Sequence, residues 1–331
     1  MSGATKKRGG KVVALCGGVG GAKLALGLSH VVTPDALTLI VNTGDDFEHL
    51  GLHISPDIDT VLYTLAGLND RERGWGRADE TWNFMAALRE FGGETWFQLG
   101  DRDLAVHIER TRRLRDGQSL SAVTTELATR LGISVRILPM SDAPVRTTVE
   151  TDEGALPFQR YFVERRCEPV VRAVRFERTD DVRSAAGVLD ALNDPDLSAI
   201  IICPSNPYLS IDPILAVADI RRALESATAP VVAVSPIIGG QAVKGPAAKI
   251  MRELGIKPGN LAIAAHYEGL IDGLIVDEAD RDEVARIEMP VLITATLMRS
   301  PDDRIRLARE ALGFAATLRA PARMPLKAAA S

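Results

Sequence analysis

Lys11-Val12-Val13-Ala14-Leu15-Cys16-Gly17-Gly18-Val19-Gly20-Gly21-Ala22-Lys23 joins a short apolar run to a glycine-dense turn, which leads into a segment of helical period from Leu24 to Leu28. An uncharged run of this kind reads as a strand buried on both faces, and a strand passing through glycines into a helix opens a doubly wound α/β unit. Similar runs recur at Leu37 to Val41, Ser198 to Cys203, Val231 to Val234, Leu261 to Ala264 and Val291 to Ile293, most of them separated by segments of helical period. The pattern predicts an α/β fold, Rossmann-like, with a doubly wound, mostly parallel sheet. A stretch of different character interrupts it. It holds Trp75, Trp82 and Trp96, amphipathic helices through Leu104 to Arg115 and Leu120 to Leu131, and short strand-like pieces between Ser134 and Phe176. The expected organisation is a nucleotide-binding core at 11–60 and 180–318, an inserted smaller lobe at 61–179, and flexible tails at 1–10 and 319–331.

Composition narrows the function. With 46% hydrophobic and 25% charged residues among 331, the chain can bury a large interior, which excludes disordered, collagen-like and disulfide-scaffold classes. Its 39 basic and 44 acidic residues give a net charge of −5, which disfavours nucleic-acid binding. Cys16, Cys167 and Cys203 are widely spaced without a C-x-x-C pair, so a reducing, cytoplasmic setting is expected. Lys6-Lys7-Arg8 before Val12 imitates a signal peptide, but Lys23 and the glycines interrupt the apolar stretch. No run approaches the roughly 18 apolar residues of a membrane span.

The chemistry concentrates where runs end. Glycine-turn amides at a helix N-terminus suit phosphate, although the spacing matches neither a Walker loop nor a clean G-x-G-x-x-G; close packing is the structural alternative. Asn42-Thr43-Gly44-Asp45-Asp46 and Ser55-Pro56-Asp57-Ile58-Asp59-Thr60 bring carboxylates of the kind that hold Mg²⁺ beside substrate phosphates. Asp45 and Asp59 read as site residues, while Asp57 stays open between a ligand and a helix cap. Ser205-Asn206-Pro207 and Ser235 to Gly240, continued by Lys244, add hydroxyls, an amide and a lysine able to hold a nucleotide. Four such loops at strand ends would converge on one sheet edge. In Gly100-Asp101-Arg102-Asp103 the Arg102 fork is placed to clamp an anionic group, Arg110, Arg112, Arg113 and Arg115 read as a solvated helix face, and His107 as a core histidine. No Gly-x-Ser-x-Gly elbow or Cys/His arrangement supports covalent catalysis.

Taken in order, these motifs, with Leu138-Pro139-Met140-Ser141-Asp142 and Val234-Ser235-Pro236-Ile237-Ile238-Gly239-Gly240, resemble the 2-phospho-L-lactate transferase family of coenzyme F420 biosynthesis over about residues 11 to 315. The resemblance implies transfer of a 2-phospholactyl, phosphoenolpyruvyl or phosphoglyceryl group from a guanosine diphosphate-linked donor to the ribityl hydroxyl of the deazaflavin Fo. GMP would leave, giving F420-0 or its dehydro form with Mg²⁺ assisting. It further implies that amides of Gly17, Gly18, Gly20 and Gly21 with Lys23 cradle phosphates. Asp45 and Asp59 would hold the metal or polarise the hydroxyl, and Asp59 with Arg102 would orient Fo. Ser205, Asn206, Ser235, Gly239 and Lys244 would hold the guanosine end. Small molecules are the expected partners, and a homodimer is common in the family. Two rivals stand beside it: a nucleotide-sugar-binding regulator of the related gluconeogenesis-factor family, and a dinucleotide-binding oxidoreductase.

Overall fold

Runs of Val, Ile and Leu pair into one seven-stranded sheet in the computed structural model, which describes residues 10–70, 72–177, 181–243 and 245–318. Residues 1–9 and 319–331, expected as tails, and Lys244, expected at the nucleotide end, lie outside the described residues. The strands are β1 (Lys11–Cys16), β2 (Leu37–Val41), β3 (Arg136–Pro139), β4 (Leu197–Ile202), β5 (Val231–Val234), β6 (Gly273–Asp277) and β7 (Val291–Thr294). Their order across the sheet is β3-β2-β1-β4-β5-β6-β7, and every neighbouring pair is parallel. The fold is therefore the doubly wound α/β class that the sequence predicts.

Alternate side chains of each strand enter opposite layers. Val13 and Leu15 of β1, with Ile200 and Ile202 of β4, pack on one side against Ile211, Ile220 and Ile263. Val12, Ala14 and Cys16, with Ala199 and Ile201, pack on the other. That second layer is closed by helices α1 (Gly18–Val31), α2 (Pro56–Leu65), α3 (Asp101–Arg115), α4 (Leu120–Arg130) and α5 (Pro301–Thr317), through residues such as Leu24, Ile58, Val106, Val123 and Leu307. Burial on both faces explains why the strands read as continuous apolar runs.

Two strand assignments change. Leu261–Ala264 lies inside a helix, Asn260–His266, and the strand is Gly273–Asp277. Leu-Ala-Ile-Ala-Ala is rich in alanine, the strongest helix former, and Glu283 accepts the Asn260 N–H at the helix start (2.7 Å). The second change concerns the expected lobe: Arg136–Pro139, inside 61–179, forms the sheet edge beside β2. α3 and α4, from the same stretch, also pack on the main core, and the remainder builds a three-stranded antiparallel sheet (Gly154–Pro157, Arg146–Thr151, Val171–Glu177) and, with Phe47 and Ile54, a small cluster around Met85, Leu99, Trp82 and Phe97.

Strand order reverses direction between β1 and β4, which leaves a crevice at their carboxyl ends. Everything described next sits there.

Candidate active site

A cavity of about 630 Å³ opens at this switch point, in the middle of the size range of small-molecule sites. Its lining divides by origin. The sheet loops contribute Gly17, Gly18, Gly20, Asp45, Ser205 and Ser235, and the intervening segment contributes Tyr63, Trp75, Phe97, Phe158 and Phe162.

The glycine turn is both close-packed and amide-rich. A Cβ on Gly20 would collide with the Pro204 carbonyl oxygen, and one on Gly21 would come within 2.6 Å of Ser205 Oγ. Ser205 ties the turn to β4: its hydroxyl donates to the Gly17 carbonyl (2.8 Å) and accepts the Gly17 N–H (3.2 Å). Gly18 N–H donates to Asp57 Oδ1 (2.6 Å). Asp57 therefore caps α1 rather than α2, its own helix. The amides of Val19 and Gly20 belong to the first turn of α1, where N–H groups have no intrahelical acceptor, and both residues line the cavity. Lys23 lines it too and donates to the Met298 carbonyl (3.3 Å).

Three buried carboxylates crowd the next loop. Asn42, directly after β2, donates through Nδ2 to both Asp45 Oδ1 and Asp57 Oδ2 (2.9 Å each). Asp46 accepts from Ser55 Oγ (2.7 Å) and lies 3.2 Å from His53 Nε2. Burial pushes the Asp45 carboxyl well above its ordinary range, and the nearby charges of Asp57 and Asp46 push it further. Burial likewise raises Asp57 to about 6 against the pull of Asn42 and Gly18. Asp46 is raised for the same reason, offset in part by His53.

Asp59 has a different environment. Both its oxygens take the guanidinium of Arg110, which is completely buried; Nη1 donates to Oδ2 at 3.0 Å, and Nη2 donates to Oδ1. Arg110 Nη1 is also 3.4 Å from His107 Nδ1. His107 sits between two carboxylates, with Nδ1 3.6 Å from Asp59 and Nε2 3.3 Å from Asp103. Tyr63 donates its hydroxyl to Asp103 (2.5 Å). Burial raises Asp103, but His107 and Tyr63 outweigh it and hold the carboxyl below its usual range. Asp59, Asp103 and His107 are close enough together to ligate one ion, but a cation there would lie against the buried Arg110 guanidinium, which donates one hydrogen bond to each Asp59 oxygen and leaves each oxygen a second lone pair.

A family model described as 2-phospho-L-lactate transferase CofD matches residues 12–297. The chain belongs to the CofD family. This makes it a transferase of coenzyme F420 biosynthesis and displaces the regulator and oxidoreductase readings. It is 44% identical over 319 residues to a phosphoenolpyruvate transferase of Kitasatospora aureofaciens, covering 93% of this chain and 99% of that one. It is 40% identical over 300 residues to a 2-phospho-L-lactate transferase of Methanosarcina mazei, covering 90% and 98%. A crystal structure of a UPF0052-family protein from Bacillus halodurans shares the fold, with a TM-score of 0.60 at 16% identity over 92% of this chain and 99% of that one. Among the described residues of this CofD-family chain, no helix is long and apolar enough to cross a membrane.

Of the residues expected at the site, Gly17, Gly18, Gly20, Lys23, Asp45, Asp59, Ser205, Asn206 and Ser235 line the cavity together. Gly21 packs beneath it. Gly239 does not line it: it sits in the turn of the hairpin Ile237–Ile238/Gln241–Ala242, where its N–H donates to Asp280 (2.9 Å). Arg102 is exposed and outside the lining, and among the described residues only its backbone is engaged, donating to Glu80 (2.8 Å). Helical phase is the reason. Asp103, His107 and Arg110 share one face of α3, and Arg102 lies about 100° away from it. Arg110 is thereby corrected from a solvated face to a fully buried residue behind Asp59, and His107 is buried as expected while also lining the cavity. Asn42 also went unassigned in the sequence, although its place directly after β2 in the carboxylate loop was a usable signal.

Proposed function

We propose that the cavity joins the ribityl hydroxyl of Fo to the distal phosphorus of a guanosine diphosphate-linked donor, and that the donor carries a phosphoenolpyruvyl group. The observation that carries the reading is the meeting of an amide-rich helix start with the Asp45, Asp57 and Asp59 carboxylates at the switch point of the sheet. The donor choice rests on relatives at 40–44% identity named phosphoenolpyruvate transferases. The hydroxyl oxygen forms a bond to the distal phosphorus, the bond to the GMP oxygen breaks, and a phosphodiester results.

Amides of Val19 and Gly20, with Lys23, receive the phosphates. Asn206, whose buried Nδ2 has no acceptor among the described residues, would hold the guanosine end with Ser205 and Ser235, which line the same cavity. Asp59, fixed by Arg110, accepts a hydrogen bond from the attacking hydroxyl and takes up its proton. Hard oxygen donors with raised carboxyl pKa values suit Mg²⁺, and Asp45 and Asp57 would hold it. When bound, the ion neutralises phosphate charge. Positioning and neutralisation suffice here, without a covalent nucleophile.

Incubation of the protein with Fo and each of the three guanylated donors, followed by mass analysis, tests this. The expected result is GMP release and the dehydro product from the enol donor in preference to the others. Turnover with the phospholactyl donor alone would overturn the donor assignment, and no turnover with any would overturn the site reading.

A further inference from the structure

The aromatic end of the cavity contains a feature that the donor chemistry does not use. Asn69 bridges to Arg77, and the Asp70 N–H donates to the Gly76 carbonyl (3.1 Å), which brings residues 69 and 70 against 76 and 77. Asp70 organises the segment between them further, accepting from the N–H groups of Glu72 and Arg73 and from Arg73 Nε (2.8–2.9 Å). Within it, Trp75 stands between two left-handed glycines, Gly74 (φ 76°) and Gly76 (φ 68°), and remains 46% exposed while lining the cavity. The core does not need a tryptophan held out in this way. Arg73 Cζ lies 4.9 Å from the Trp82 ring centre and 5.6 Å from that of Trp75, which fixes the guanidinium plane beside both indoles. Its Nε is hydrogen-bonded to Asp70, its two terminal amines meet no hydrogen-bond acceptor among the described residues, and Arg73 is among the residues that line the cavity. Phe97, Phe158 and Phe162 complete that end.

A rigid indole beside an oriented, half-satisfied guanidinium recognises a flat ring bearing an acidic oxygen. We propose that the Arg73–Gly76 segment selects the acceptor, with Trp75 stacking on its ring and Arg73 pairing with the ring's acidic oxygen. This rests on the transferase reading above, and it assigns to Arg73 the part expected of Arg102.

The test measures binding of Fo and of riboflavin, whose ring lacks the acidic hydroxyl, to the parent protein and to Arg73→Gln and Trp75→Leu. Affinity for GDP in the same samples reports an intact fold. The expected result is a Kd for Fo raised about tenfold in Arg73→Gln with riboflavin unmoved, and both ligands weakened in Trp75→Leu. Equal Fo binding in parent and variants, or an equal loss of both flavins in Arg73→Gln, overturns the inference while leaving the transferase reading intact. Failure of the parent protein to bind Fo overturns both.

Discussion

Replacing Arg110 with methionine keeps the length of the stem and removes every donor from Asp59. Arg110 is completely buried and Asp59 nearly so, and the guanidinium meets both carboxylate oxygens. Had Arg110 belonged to a solvated helix face, as the exposed Arg112 and Arg115 do, the loss would be that of an exposed ion pair, about 0–1 kcal/mol. A buried carboxylate stripped of its partner instead costs about 3–5 kcal/mol, because the unpaired charge stays in a low-dielectric setting. The two magnitudes do not overlap, so urea unfolding decides between them, with an unchanged m value showing that stability alone has moved. Adding Asp59→Asn to the methionine variant removes the orphaned charge and should recover more than half of the loss, whereas additive losses would mean that the two side chains are uncoupled. Turnover should fall in the single and double variants alike, since Asp59 lines the cavity. A single variant within about 1 kcal/mol of the parent would refute the reasoning.

Further outcomes follow from the carboxylates. Asp57 titrates near 6 instead of 3.8, so the folded state holds its proton more tightly than the unfolded chain; the resulting stability is present below about pH 4 and is lost as pH rises through 6. A shift of about two units corresponds to roughly 3 kcal/mol, and Asp57→Asn should lack that loss, so melting curves of parent and variant that stay parallel from pH 4 to 7 would exclude it. Chelation with EDTA should abolish turnover and Asp45→Asn should lower kcat by about 10²-fold without lowering folding stability, because it relieves repulsion with Asp57; full turnover in EDTA would contradict this. Arg102→Lys should leave the KM for Fo within about fivefold of the parent, equivalent to the 1 kcal/mol or less of an exposed side chain; a larger rise in steady-state assays would return Arg102 to the acceptor site.

The expected site residues that line the cavity are those whose chemistry and placement are both local. A buried strand ends, a polar loop follows, and parallel topology gathers such loops on one edge. Gly17 to Lys23, Asp45, Asp59, Ser205, Asn206 and Ser235 obey that logic. What escaped depends on choices that tertiary packing makes. Gly100-Asp101-Arg102-Asp103 marks a helix start but not which side of the helix meets the cavity, and a step of one residue turns a side chain by about 100°. The phase is set by α3 packing against the hairpin Leu52–Ile54 and α4, and it buries Arg110 while exposing Arg102. Leu261–Ala264 failed for a related reason, since short apolar runs fit either strand or helix and alanine content decided it.

Asp57 carries the argument one step further. In sequence it offered two readings, a helix cap or a ligand; in the fold it caps the neighbouring helix and shares Asn42 with Asp45. One placement gives the cap and leaves Asp57 lining the cavity. The contacts that Asp45 and Asp57 make run to a neutral amide and a backbone N–H, whereas Asp59 is answered by Arg110 and Asp46 by His53. Negative charge is thus left least compensated at the point where the first turn of α1 opens to the cavity, in the path of an anionic donor. An amide-rich helix start alone would admit phosphate; the same start with Asp57 bound to its first N–H repels it unless a cation accompanies the substrate. On this arrangement donor and divalent ion bind together, each weakly without the other. Calorimetry should then find GDP affinity rising at least tenfold on adding Mg²⁺, and the gain should vanish in Asp57→Asn, where GDP alone binds more tightly than it does to the parent. GDP affinity independent of Mg²⁺ in the parent would break the link between the capping carboxylate and the donor site.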